Sequence, residues 1–309
     1  MKKQLLIAAV AATMTSVAFA DISITGGAKV NYVNTEHGTS HAAPLSTNAF
    51  NHDVDLTVVG KNGDTSVSVT VATTASDAAA TAGDSALNVE NTIIATKIGD
   101  VAIRTGTWMT GDDFLNTTSR ANGKFEASTD FSGVKVTYSD AEDSNATVKL
   151  ATTVSDVAVS YERGTVSDTY TLDTTVAGFG ISYKLRALDA ATSDKDSLMI
   201  TKEFNGVTAT YAQANAEASV NIAGDAWLGD FEATTLDNDA DVSGFGASMA
   251  VAGNTIQVKS ITVDAANDID YTKFYVTRPL AGGATFEAIY TDKDVAGGTS
   301  TDSKTLDLE

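Results

Sequence analysis

Four short stretches constrain this chain more than anything else in it: FSGVKVTYS (Phe131–Ser139), VSDVAVSYE (Val154–Glu162), VAGFGISYK (Val176–Lys184) and FNGVTATYA (Phe204–Ala212). Each holds an apolar residue, a two-residue turn, apolar residues at alternate positions and a tyrosine five places past the turn. Side chains of a strand alternate between faces, so a period of two means strand. Two such runs joined by a turn dipeptide mean a β-hairpin. The pattern extends in both directions. DISITGGAKVNY (Asp21–Tyr32) puts Ile22, Ile24, Ala28, Val30 and Tyr32 on one face and Ser23, Thr25, Lys29 and Asn31 on the other. VDLTVVGKNGDTSVSVTV (Val54–Val71) turns at Asn-Gly, and TIIATKIGDVAIRTG (Thr92–Gly106) at Gly99-Asp100. Further turns are expected at Gly229-Asp230, Ala252-Gly253 and Ala281-Gly282-Gly283. No convincing helical period competes.

The short turns alternate with longer polar connections, which predicts one up-and-down antiparallel meander with two unlike ends and about 16–20 strands. The hairpin around Ser132-Gly133 shows what its faces must meet. One carries Phe125, Ala127, Phe131, Val134, Val136 and Tyr138, and the other Lys124, Glu126, Asp130, Lys135 and Thr137. The charged face needs water. That split fits a transmembrane β-barrel with lipid outside and water inside, short turns on the periplasmic side and longer loops outside.

Two regularities favour that barrel over a soluble sheet. Phe131 and Phe204 flank turns, and Tyr138, Tyr161, Tyr183 and Tyr211 recur at one distance from them, as aromatic belts at two interfaces would. Thr96, Thr129, Thr152, Thr174 and Lys202 occupy one outward site near the turns, where lysine can snorkel. The rival class is a soluble or surface-attached β-rich structural protein, such as an adhesin or surface-layer subunit.

The first twenty residues stand apart. Met1-Lys2-Lys3 is basic, Leu5–Ala12 apolar, and Ala18-Phe19-Ala20 a cleavage site, so 1–20 reads as a secretory signal peptide. Residues 21–309 then form a single barrel domain. Cysteine is absent, so no disulfide braces the exported chain. Without Lys2 and Lys3, 18 basic residues face 40 acidic ones, a net charge of −22. That makes nucleic acid an unlikely partner and favours cations. Of His37, His41 and His52, the HGTSH pair has a spacing compatible with metal ligation only if the loop supplies further ligands, SHAAPLS brings a histidine near a serine in sequence alone, and no phosphate or dinucleotide loop is present. No enzyme activity and no cofactor are expected, beyond weak Ca²⁺ binding by acidic loops at Asp189–Asp196 and Asp237–Asp241.

Thr107–Ala121 (TWMTGDDFLNTTSRA) is a long connection with its own apolar anchors, Trp108, Phe114 and Leu115, beside the pair Asp112-Asp113. It follows the fifth expected strand. In that placement, in the strand that opens the mature chain and in YVTRPLAGGATFEAIYTD (Tyr275–Asp292), the chain resembles Gram-negative general porins of the alphaproteobacterial and neisserial kind. The resemblance implies an outer-membrane homotrimer of water-filled, sixteen-stranded channels for passive diffusion of small hydrophilic solutes and ions. It also implies a third loop folded into the lumen. Asp112 and Asp113 would then face wall bases, of which Arg104 and Lys124 are the leading candidates and Lys29 a weaker one. Such porins end in an aromatic residue, whereas this chain reads KTLDLE, so its last strand is expected to be incomplete.

Overall fold

The computed structural model describes residues 21–37, 46–76, 87–109, 120–142, 144–165, 167–188, 194–216, 220–221, 235–236, 240–264, 268–296 and 303–309. The segment read as a signal peptide lies outside these residues. The chain is almost wholly β. Its strands are β1 (Asp21–His37), β2 (Ser46–Asn62), β3 (Thr65–Ser76), β4 (Leu87–Ile98), β5 (Val101–Met109), β6 (Arg120–Phe131), β7 (Val134–Ala141), β8 (Ser144–Val154), β9 (Val157–Arg163) and β10 (Ser167–Val176). They continue with β11 (Phe179–Leu188), β12 (Lys195–Phe204), β13 (Val207–Ala216), β14 (Val220–Asn221), β15 (Thr235–Leu236), β16 (Ala240–Val251), β17 (Asn254–Asp264), β18 (Ile269–Pro279), β19 (Thr285–Val295) and β20 (Ser303–Leu308).

Eighteen of these form one sheet in which each strand pairs antiparallel with its neighbours and β20 pairs back onto β1, closing a barrel. β14 and β15 make a separate two-stranded ribbon. The hairpin expected at Gly229-Asp230 therefore adds no barrel strands: β13 pairs directly with β16, Val207 opposite Met249. The sixteen strands implied by the porin resemblance are likewise too few. β20, six residues long, runs along β1 only from Tyr32 to His37.

The registers fix the dimensions. Followed pair by pair around the wall, they return to β1 displaced by about 22 residues, the shear of the barrel. With ~3.3 Å per residue and ~4.7 Å between strands, that shear tilts the strands by about 40° and gives a backbone radius of roughly 17–18 Å. Side chains cannot fill such a barrel, so it encloses a channel.

The eight sequence-marked turns that join barrel strands all lie at one end. Five of them have positive φ at both central residues, for instance Ser132 at 54° and Gly133 at 82°, the mirror-image turn whose twist matches the strands. The outward polar residues near this rim have a local reason. The hydroxyl of Thr152 donates to the Gly133 carbonyl at 2.9 Å, and that of Thr174 to the Asp156 carbonyl at 3.4 Å. The Lys202 ammonium donates to the Ala177 carbonyl at 2.7 Å, while the Thr65 and Thr96 hydroxyls bond each other at 2.9 Å. The bonds of Thr152, Thr174 and Lys202 each tie one hairpin to the turn of the hairpin before it, satisfying a turn carbonyl that the ladder leaves free.

The two faces separate as the alternation requires. Ile22, Ile24, Val30, Leu56, Phe131, Leu172 and Phe204 are exposed on the outside. The ion pairs Lys29–Glu309, Arg104–Glu126 and Lys149–Glu162 lie on the inward set of positions. Tyr138, Tyr161, Tyr183 and Tyr211 all project outward. Three of their hydroxyls donate toward the loop end, Tyr138 to Asp140 and Tyr161 to Asp168 at 3.2 Å and Tyr211 to Gln213 at 2.6 Å. Phe131 and Phe204 sit at the turn rim, 75% and 55% exposed.

Candidate functional site: the charged lumen wall

The site begins with a glycine. Gly106 has φ 138°, and a β-carbon there would lie 1.8 Å from the Thr92 carbonyl oxygen of the neighbouring strand, so only glycine fits. The register of β5 on β6 slips just after it, between Gly106 and Trp108. Such a bulge re-aims the next side chain. Here it turns the Trp108 ring over two cations: the Arg104 guanidinium carbon is 4.4 Å and the Lys124 ammonium 4.8 Å from its centroid. Trp108 is 5% and Lys124 8% exposed. Glu126, opposite Arg104 in register, accepts from its Nη2 at 3.0 Å. A cation held on an indole face and by a carboxylate is a fixed charge facing the channel.

Arg104 and Lys124, expected as partners on the wall, are therefore brought together, with Trp108 between them. Lys29 is not with them. It lies on β1, four to five strands away, where it pairs with Glu309 at 2.5 Å; the Asn31 amide donates to Asp307 and Glu309. Asp112 and Asp113 lie outside the described residues, as do Asp189, Asp237 and Asp239 of the acidic loops considered for Ca²⁺.

A second charged wall was not anticipated. On the inward positions of β17, β18 and β19, Lys259 and Lys273 stand opposite each other in register, 5.4 and 6.0 Å from the Tyr275 ring. Lys293 is 5.5 Å from Tyr271. Six strands lie between β18 and β5 one way round the barrel and nine between β6 and β18 the other, so this group faces Arg104 and Lys124 across the lumen. Its signal was legible, since Tyr271, Lys273 and Tyr275 alternate on one face. Toward the loop end the same wall becomes apolar. Val242, Ile261, Val263 and Tyr271 point inward and are at most 2% exposed.

No protein-family model matches the chain, and no curated protein matches it in sequence. Solved structures do match in shape. The crystal structure of Pseudomonas aeruginosa OpdL superposes with a TM-score of 0.71 at 8% identity, covering 93% of this chain and 97% of that one. A BenF-like porin from Pseudomonas fluorescens gives 0.68 at 9% identity over 93% and 97%. Acinetobacter baumannii OccAB4 gives 0.66 at 12% identity over 93% and 96%. At such identities the likeness establishes the fold, a large outer-membrane-type barrel.

Proposed function

We propose that this chain is an outer-membrane porin through which small hydrophilic solutes and ions diffuse passively, without catalysis. The observation that carries this reading is the closed eighteen-strand barrel with an apolar outside and a charge-lined inside too wide for side chains to fill. A polar lumen replaces bulk hydration along the path, and the narrowest ring of fixed charge sorts by size and sign. One neighbour in shape is itself named a porin. The soluble or adhesin reading would leave Ile22, Ile24, Leu56 and Phe131 as a continuous apolar band in water.

On this reading residues 1–20 direct export and are removed, and the outward tyrosines and phenylalanines mark the two membrane interfaces. Three copies assemble in the membrane. The third connection folds inward, with Asp112 and Asp113 as the acidic side of the constriction and Arg104 and Lys124 as the basic side. The acidic excess gives mild cation preference, which the two lysine-bearing walls oppose. Purified chain in a planar lipid bilayer should give stepwise ionic currents. Their absence from correctly folded, heat-modifiable protein would end the channel reading. An Asp112→Asn/Asp113→Asn variant with an unchanged reversal potential in a salt gradient would remove the constriction assignment.

A further inference from the structure

Between its charged walls the lumen has a stretch of short side chains. At the height of Arg104, three residues or ~8 Å above the turn rim, β10, β11 and β12 turn small residues to the channel. Asp173 is registered between Ala158 and Ser182, and Ser182 lies opposite Met199. One inward place nearer the rim, Thr175, Gly180 and Thr201 stand side by side. With chains this short the wall falls back to its backbone, leaving a recess of about 350 Å³ that Asp173, Thr175, Gly180, Ser182, Met199 and Thr201 line. Gly180 is its floor: an added β-carbon there would come 2.6 Å from the Thr201 hydroxyl oxygen.

The charge in this recess is unbalanced. Elsewhere on the inner wall Glu126 pairs with Arg104, Glu162 with Lys149 and Glu309 with Lys29, while Asp130 stands opposite Lys135 in register. Asp173 is exposed to the lumen and, among the described residues, makes neither an ion pair nor a side-chain hydrogen bond. None of the residues lining the recess is basic. Lys184 on β11 stands one inward place higher, opposite Thr171. Asp156 adds a second acidic residue at the edge, where the Thr174 hydroxyl donates to its carbonyl at 3.4 Å.

We infer that this recess is a solute subsite for a small hydroxylated ammonium ion of the amino-sugar type. The inference rests on the porin reading and names one solute class for that channel. An ammonium brings three donors and a positive charge to Asp173, and a charge-assisted bond is roughly twice as strong as a neutral one. The hydroxyls of Thr175, Ser182 and Thr201 each donate and accept, as sugar hydroxyls do. Met199 gives the ring an apolar side. The volume lies at the small end of the ~300–1,000 Å³ of ligand sites and suits a single ring. A carboxylate or phosphate on the solute would meet Asp173 and find no cation in the lining, so anions and zwitterions are turned away. Because the recess shares its level with Arg104, a solute held there stands in the ion path.

The test uses the purified chain in planar bilayers, titrated with glucosamine held below its amine pKa. N-acetylglucosamine, similar in shape but uncharged, is the comparison. Glucosamine should interrupt the potassium chloride current at a concentration about tenfold lower than N-acetylglucosamine does. Asp173→Asn should erase that difference, and Asp173→Glu should keep most of it. Gly180→Val, which fills the floor without changing charge, should weaken the glucosamine effect several-fold. Equal effects of the two sugars, or a difference that survives Asp173→Asn, would overturn the subsite. Folded, heat-modifiable protein that passes no potassium chloride current would refute the channel reading instead. Calorimetric binding of glucosamine to that protein in detergent, compared with Asp173→Asn, would then decide the subsite by itself.

Discussion

Substituting Gly106 by alanine tests whether a backbone feature of β5 sets the charged wall. The added methyl would meet the Thr92 carbonyl oxygen at 1.8 Å, where contacts below 3.0 Å are essentially never found, so the β4 backbone must retreat by over ~1 Å. Thr92 is registered on Thr107 and Ile93 on Gly106, so that retreat loosens one or two ladder hydrogen bonds, about 1 kcal/mol each. A φ of 138° is glycine territory, and forcing alanine into it costs a further ~1–3 kcal/mol. The sum is about 2–5 kcal/mol. Gly27→Ala is the matched control, because nothing lies within 4 Å of its added carbon; its cost should stay near 1 kcal/mol or less. Both variants, carried on a Trp227→Phe background so that emission reports Trp108 alone, are refolded in detergent and unfolded with urea, followed by heat-dependent gel mobility and tryptophan emission. Gly106→Ala should unfold at markedly lower urea, with Trp108 emission shifted toward that of a wetter indole and altered single-channel conductance. Stability and emission equal to the parent's would refute the claim that the bulge holds Trp108 over its cations.

Other outcomes follow from the same geometry. Thr152→Val deletes the donor to the Gly133 carbonyl and should destabilise the barrel by about 1 kcal/mol in urea titration, while Thr152→Ser should restore most of it. Glu126→Gln removes the carboxylate paired with Arg104 and should move the reversal potential toward anion permeation; an unchanged potential would mean that this wall does not line the path. Leu56→Arg places a charge on the outer apolar face and should destabilise by ~2–4 kcal/mol, whereas Thr57→Arg, one residue on and facing inward, should mainly lower conductance.

What the sequence determined is local. Alternation of period two assigned inside and outside, so Lys124 and Phe125 fell on opposite faces without any tertiary information. The turn dipeptides located the rim, and eight of the nine expected turns join barrel strands. Tertiary structure decided what no window of sequence contains. Whether β13 meets β16 or an intervening hairpin depends on closure, because a turn signal such as Gly229-Asp230 fixes register only if both flanks find a wall to join. The shear is a sum over eighteen pairings, and from it come the tilt and the width. It also sets Lys259 and Lys273 across the water from Arg104 and Lys124, residues more than a hundred positions apart in the chain, whose lumenal charges meet only after the last strand closes on the first.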